Sequence, residues 1–198
     1  MAFNIMNFFD LALIIQLFVL IDPLTASPIL MSAYKNKMNI RKIAASAVLI
    51  AFIIAVLVAV FGVYLFNLFG IGIDSFRIAG GIVLLLLGLE TIRSKQEDGK
   101  NVKKTDALVS IIATPLLTGP AIISFITIKA YEIGQTAIIF NVFFAFILVA
   151  IVFMTFSFFV SKINLKIVDI VSRVLGLFLT AVAIEMIAKG ITGLMGAG

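Results

Sequence analysis

Residues 22–28 read Asp-Pro-Leu-Thr-Ala-Ser-Pro and residues 114–120 read Thr-Pro-Leu-Leu-Thr-Gly-Pro, and together they hold all four prolines of the chain. Each stretch lies inside a long apolar segment. Because proline removes a backbone donor and clashes with the preceding helical turn, each pair predicts an unwound point in a helix. Unwound backbone is tolerated in a bilayer only where protein or a water-filled cavity satisfies it. Matching breaks in two halves of a chain therefore point to a transporter binding site.

The composition is that of an integral membrane protein. Of the 198 residues, 63% are hydrophobic, against about 45–50% apolar residues in soluble domains. The net charge is +5, but the basic residues lie between apolar runs without interleaved stacking aromatics, so we expect no nucleic-acid partner. Cysteine and histidine are absent, which excludes disulfides, thiolate or imidazole metal sites, and Ser-His or Cys-His catalysis. We expect neither a cofactor nor an enzyme.

Six apolar segments are long enough to cross a bilayer, which takes about 20 residues. They cover residues 8–34, 43–66, 71–92, 108–130, 136–160 and 167–190. A polar stretch divides them, so we predict a first three-helix repeat over 1–92, a cytoplasmic linker over 93–107 and a second three-helix repeat over 108–198. Because three is an odd number, the second repeat enters the membrane inverted. The sequence thus predicts an all-α membrane protein of six transmembrane helices, with helices 1 and 4 discontinuous at the proline pairs.

The positions of the basic residues predict the orientation. Eleven of the 15 Lys and Arg residues lie in the loop after helix 1, the linker and the loop after helix 5, whereas the opposite side has only Lys129 and Lys189, at the ends of the fourth and sixth segments. Lys and Arg accumulate on the cytoplasmic side of membrane proteins. We therefore expect a multi-pass protein of the cell (inner) membrane with both termini outside.

Each break offers ligand groups of both signs. Thr25 or Ser27 in the first break and Thr118 in the second are expected to cap the restarted half-helix, with a proline in its early turn. The amino end of that half-helix suits a carboxylate, and the carbonyls that end the preceding half-helix suit an ammonium. Small side chains favour a small, neutral zwitterion. The predicted substrate-binding residues are Asp22, Pro23, Leu24, Thr25, Ala26, Ser27, Thr114, Pro115, Leu117, Thr118 and Gly119.

Asp22 is the carboxylate expected well inside helix 1, at a depth where ionisable groups are costly and usually functional. Its roles include capping the unwound turn, pairing with a substrate ammonium or taking up a proton. A second repeated pattern places Asp74 three residues before Arg77 and Asp169 four before Arg173. Both arginines either extend to a membrane interface or pair with acidic groups as opposite gates. Glu90 and Glu185 are coupling candidates or lie on solvated faces, and Gly80, Gly81, Gly88, Gly176 and Gly190 are expected to allow close helix packing.

The chain resembles the MarC family of membrane proteins, which includes small neutral amino acid transporters. The resemblance rests on Ile21-Asp22-Pro23-Leu24 through Ser27-Pro28-Ile29, on Phe76-Arg77-Ile78-Ala79-Gly80-Gly81, and on Pro115-Leu116 through Gly119-Pro120-Ala121. It covers essentially the whole length. It implies a six-helix carrier for glycine, alanine or similar residues, driven by an ion gradient. The family pattern has glycine and asparagine where this chain has Thr25 and Ala26, which leaves the exact substrate open.

We therefore expect a secondary transporter of small neutral amino acids, of the glycine and alanine class, with substrate bound mid-membrane between the two breaks. The expected partners are the amino acid, H+ or Na+ as coupling ion, and the lipid bilayer, with a homo-oligomer left open. An ion or other small-solute transporter is the alternative, disfavoured because metal ions prefer imidazole, thiolate or clustered carboxylates. An intramembrane enzyme would need a nucleophile with a base, or an aspartate pair such as Asp22 and Asp74, but Asp74 lies at a helix start and not at mid-depth. A sensor would not need two mirrored breaks.

Overall fold

In a computed structural model, the described residues are 9–24, 27–35, 37–93, 119–159 and 164–196. These ranges form seven α-helices and no strand. The helices are α1 (Leu11–Ile21), α2 (Ser27–Lys35), α3 (Ile40–Phe69), α4 (Ile73–Arg93), α5 (Pro120–Ile133), α6 (Gln135–Phe159) and α7 (Leu165–Gly196). Within these ranges four helices, α3, α4, α6 and α7, are long and apolar enough to cross a membrane. The predicted all-α membrane class is confirmed.

The predicted segments correspond to these helices with small changes at their ends. Segment 8–34 is divided into α1 and α2, as the proline pair predicted. Within the fourth segment, α5 begins at the second proline, Pro120. Most of the linker and the earlier part of the fourth segment, residues 94–118, lie outside the described residues.

α3 and α6 pack as an antiparallel pair. The guanidinium of Arg41, at the start of α3, lies 4.2 Å from the ring centre of Phe158 at the end of α6. At the opposite end of the pair, Gln135 donates from Nε2 to the carbonyl oxygen of Val60 over 2.9 Å. Between these points α3 buries a stripe of small residues at helical spacing, which lets neighbouring backbones approach closely. The stripe consists of Ala44, Ala47, Ala51, Ala55 and Ala59.

α4 and α7 form a second antiparallel pair, in which glycines bring the two backbones into contact. A Cβ atom at Gly88 would lie 3.0 Å from the carbonyl oxygen of Gly176, and one at Gly190 would lie 2.7 Å from that of Asp74. These distances are shorter than ordinary van der Waals contact at 3.4–4 Å. The close packing expected of these glycines is confirmed.

Two of the three shorter helices, α1 and α5, lie against these pairs. The amide of Asp10, which caps α1, donates to Oδ1 of the buried Asn141 on α6 over 3.0 Å. On α5, Ser124 packs against Gly80 of α4, and its neighbour Ile126 is buried in the core. α1 is therefore tied to α6, and α5 is packed against α4.

Candidate functional site

The first break is centred on Asp22. Its backbone is left-handed, with φ 39° and ψ 68°, and its amide donates to the carbonyl oxygens of Phe18 and Val19 at 3.2 Å each. Aspartate tolerates this conformation better than most residues, and Pro23 cannot continue the helix. Asp22 is 5% exposed. The predicted interruption of helix 1 is confirmed, and the backbone of Asp22 caps α1.

The rest of the first break is described in part. Pro23 and Leu24 form a turn, with Pro23 buried and Leu24 half-buried, and Ser27 is the first residue of α2. Thr25 and Ala26 lie outside the described residues.

Helix α5 begins at Pro120, the second proline of the predicted second break, and its amino-terminal cap is Gly119 rather than Thr118. Gly119 is extended, with φ −65° and ψ 171°, and it makes no side-chain capping bond. The expectation that Thr118 caps this helix was wrong because a proline holds the residue before it out of the helical region. Thr118 itself lies outside the described residues, as do Thr114, Pro115 and Leu117.

A network of ion pairs joins α4 to α5 near one end of the bundle. Arg77 donates from Nη1 to Oδ1 of Asp74 and from Nη2 to Oε1 of Glu132, both at 2.6 Å. Lys129 donates from Nζ to Oε2 of the same Glu132 at 2.8 Å. The Arg77 side chain is 18% exposed. Its guanidinium is thus held from two sides by carboxylates on different helices.

The electrostatics of Glu132 follow from this network. Burial raises the pKa of its carboxyl, but the hydrogen bonds from Lys129 and Arg77 outweigh burial, so the pKa lies below its ordinary value. Glu132 is therefore ionised at neutral pH, as both cations require.

A cavity of about 230 Å³ opens beside this network. It is lined by side chains of α1, α4, α5 and α7, namely Gln16, Arg77, Phe125, Ile128, Lys129, Glu132, Ala181, Val182, Glu185, Met186 and Lys189. It lies at the start of α4 and the end of α5, remote from the basic loop between α2 and α3. Pockets for drug-sized ligands hold about 300–1,000 Å³, so this cavity fits a smaller solute.

Two of the four predicted gate or coupling residues, Arg77 and Glu185, meet in this cavity. Arg173 instead pairs with Asp169 of its own helix over 2.9 Å and is 46% exposed, and Glu90 is exposed on α4. The Asp and the Arg are three residues apart in α4 and four apart in α7, and both spacings place the two side chains on the same helix face.

Sequence reasoning did not place four of the polar lining residues in a site, namely Gln16, Lys189, Lys129 and Glu132. A signal existed for the last two, since a Lys and a Glu three residues apart at the end of an apolar helix predict a charged pair. Within the described ranges, no group of three acidic side chains is placed to hold a metal ion.

Comparison with known proteins identifies relatives across the whole chain. Residues 6–195 match the profile of MarC family integral membrane proteins. The chain is 32% identical over 191 residues to the UPF0056 membrane protein MJ1677 of Methanocaldococcus jannaschii, covering 90% of this chain and 93% of that protein. It is 30% identical over 208 residues to the UPF0056 membrane protein YhcE of Escherichia coli, covering 96% and 97%. No solved structure matches the chain.

Proposed function

This chain belongs to the MarC family of integral membrane proteins, and on that premise we propose that it is a secondary transporter of small neutral amino acids such as glycine and alanine. The observation that carries the proposal is the buried interruption of helix 1 at Asp22. A break of this kind exposes backbone groups inside a bilayer, where they persist only if protein or a polar cavity satisfies them. In transporters such breaks bind the substrate.

The second break supplies the complementary half of the proposed site. Gly119 has no side chain that could compete with a substrate carboxylate at the amino end of α5. The amides of Ile122 and Ile123 donate to the carbonyl oxygen of Gly119 over 3.0 and 3.1 Å, and Pro120 has no amide hydrogen, which assigns the carboxylate to the amide of Ala121. The amino end of a helix attracts an anion. The substrate ammonium is assigned to the carbonyl end of α1 and to Asp22, which ends that helix.

The packing of the long helices supports the inverted-repeat architecture that this proposal uses. In the predicted repeats α3 corresponds to α6 and α4 corresponds to α7, and each corresponding pair is in antiparallel contact. A two-fold axis in the plane of the membrane produces that relation between equivalent helices. We propose six spanning segments, two of them interrupted, in the cell (inner) membrane with both termini outside.

The test is uptake of radiolabelled alanine into proteoliposomes that contain the purified protein. Saturable uptake that unlabelled glycine inhibits is the expected result, and uptake no faster than in protein-free vesicles would refute the proposal. The Gly119→Leu variant should abolish uptake because a large side chain would fill the start of α5. Gly72→Leu is the matched control, since a Cβ at Gly72 has no neighbour within 4 Å. Equal uptake by both folded variants would place the site elsewhere.

A further inference from the structure

The cavity beside α4, α5 and α7 carries charges of both signs in equal number. Three cations and three anions stand in or directly behind its wall, namely Arg77, Lys129 and Lys189 with Asp74, Glu132 and Glu185. A cavity whose charges sum to zero favours neither a net anion nor a net cation. It offers separate partners to the two ends of a zwitterion.

The two ion pairs of Arg77 use only part of its hydrogen-bond donors. Its Nη1 and Nη2 groups are held by Asp74 and Glu132, whereas its buried Nε has no hydrogen-bond partner among the described residues. A buried polar group without a partner costs free energy, about 1–3 kcal/mol and more for a charged group. A guanidinium carries five N–H groups, so Nη1 and Nη2 each keep one further N–H beside the ion pair that fixes the plane of the group.

Among the carboxylates around the cavity, Glu185 has the longest distance to its basic partner. It pairs with Lys189 of the same helix over 3.1 Å, and both side chains are more than half exposed. Exposed pairs of this kind contribute little to stability. An arriving ammonium can therefore replace Lys189 at small cost.

We propose that this cavity is a second solute site, in which a small amino acid places its carboxylate at the Nη groups of Arg77 and its ammonium at Glu185. The choice of alanine as ligand rests on the proposed function. Gln16 lies in the cavity wall, and Asp22 follows six residues later in the chain, about 9 Å further along α1 at 1.5 Å per residue. The cavity would thus serve as a vestibule, a site that a solute occupies before it reaches the break.

A single introduced thiol gives a local readout of this site. The chain has no cysteine, so Gln16→Cys creates a unique thiol in the cavity wall. We expect a methanethiosulfonate reagent to modify it at a rate that alanine lowers in a saturable manner. Lactate, which lacks the ammonium, and ethylamine, which lacks the carboxylate, should leave the rate unchanged at the same concentration. Leu17→Cys, at a neighbouring position that is 1% exposed, should not react.

Variants of the two arginines then assign the carboxylate partner. In the Gln16→Cys background, Arg77→Lys keeps the positive charge but removes the forked N–H donors of the guanidinium. It should raise the alanine concentration for half-protection about tenfold or more, the effect of one charged hydrogen bond. Arg173→Lys, at the repeat-related position outside the cavity, should leave it unchanged. If Arg77→Lys does not fold, Glu185→Gln replaces it, with the exposed Glu90→Gln as control.

The outcomes separate this site from the proposed transport function. Alanine without effect on the thiol, equal protection by lactate, or an unchanged midpoint in Arg77→Lys or Glu185→Gln would overturn the vestibule. Uptake of alanine without protection refutes the vestibule and leaves the transport proposal intact. Protection without uptake supports the vestibule and refutes transport. Protection that survives Gly119→Leu supports a site distinct from the break.

Discussion

Replacing Gly81 and Gly88 together by alanine tests the close contact between α4 and α7. A Cβ at Gly81 would lie 2.9 Å from the carbonyl oxygen of Ala183, and one at Gly88 would lie 3.0 Å from that of Gly176. Both neighbours are backbone atoms, so the helices must separate by several tenths of an ångström to restore ordinary contact. Overpacking of this kind costs about 1–3 kcal/mol per site.

The helix propensity of alanine opposes this cost by about 1 kcal/mol per site. The net expectation for the double variant is a loss of about 2 kcal/mol, which for a chain of this length lowers the melting temperature by roughly 4–8 °C. Thermal unfolding in detergent, followed by circular dichroism at the helix band, measures the shift.

Gly72→Ala is the control, because a Cβ there has no neighbour within 4 Å. It should be neutral or stabilising by about 0.4–1 kcal/mol, since alanine restricts the unfolded chain. For the double variant, the sign of the change in the free energy of unfolding decides between the two effects. If the double variant is more stable than the wild type, the helix propensity of alanine is not offset by overpacking, and the two backbones are not in contact.

Three further predictions concern charge, backbone geometry and topology. Glu132→Gln should remove about 0.2–1 kcal/mol of stability above pH 4.5, the ordinary pKa of the group. Because the folded pKa is lowered, this difference should shrink as the pH falls through the folded value; a difference constant from pH 7 to pH 3 would contradict the ion pair. Asp22→Asn should melt with the wild type while Asp22→Val loses about 1–2 kcal/mol, as left-handed backbone requires, and equal melting of the two would exclude that conformation. A reporter fused after Gly198 should be active only outside the cytoplasm, and cytoplasmic activity would contradict the predicted orientation.

The interrupted helix could be predicted from sequence because its cause is local. Pro23 removes a donor and Asp22 accepts a left-handed backbone, and both effects depend only on residues adjacent in the chain. The cap of α5 was misassigned to Thr118 because side-chain preference was weighed without the restriction that Pro120 imposes on Gly119.

The cavity could not be predicted in the same way, since its wall comes from four helices. Gln16 and Glu132 are 116 positions apart, and hydropathy and periodicity carry no information about which helix faces meet. In the sequence Lys129 served only to predict the orientation of the helices. Its contribution to the cavity depends on the ion pair between Glu132 of α5 and Arg77 of α4, which forms only through tertiary packing.

The glycine contact between α4 and α7 also determines how the stability of this pair depends on temperature. When two helices separate within lipid, the faces they expose meet acyl chains and not water, so the hydration that gives soluble proteins their large heat capacity of unfolding is missing. Glycine adds no rotamer entropy to the balance. The free energy that holds the pair together should therefore fall almost linearly on heating, without the maximum near room temperature that water imposes on soluble folds.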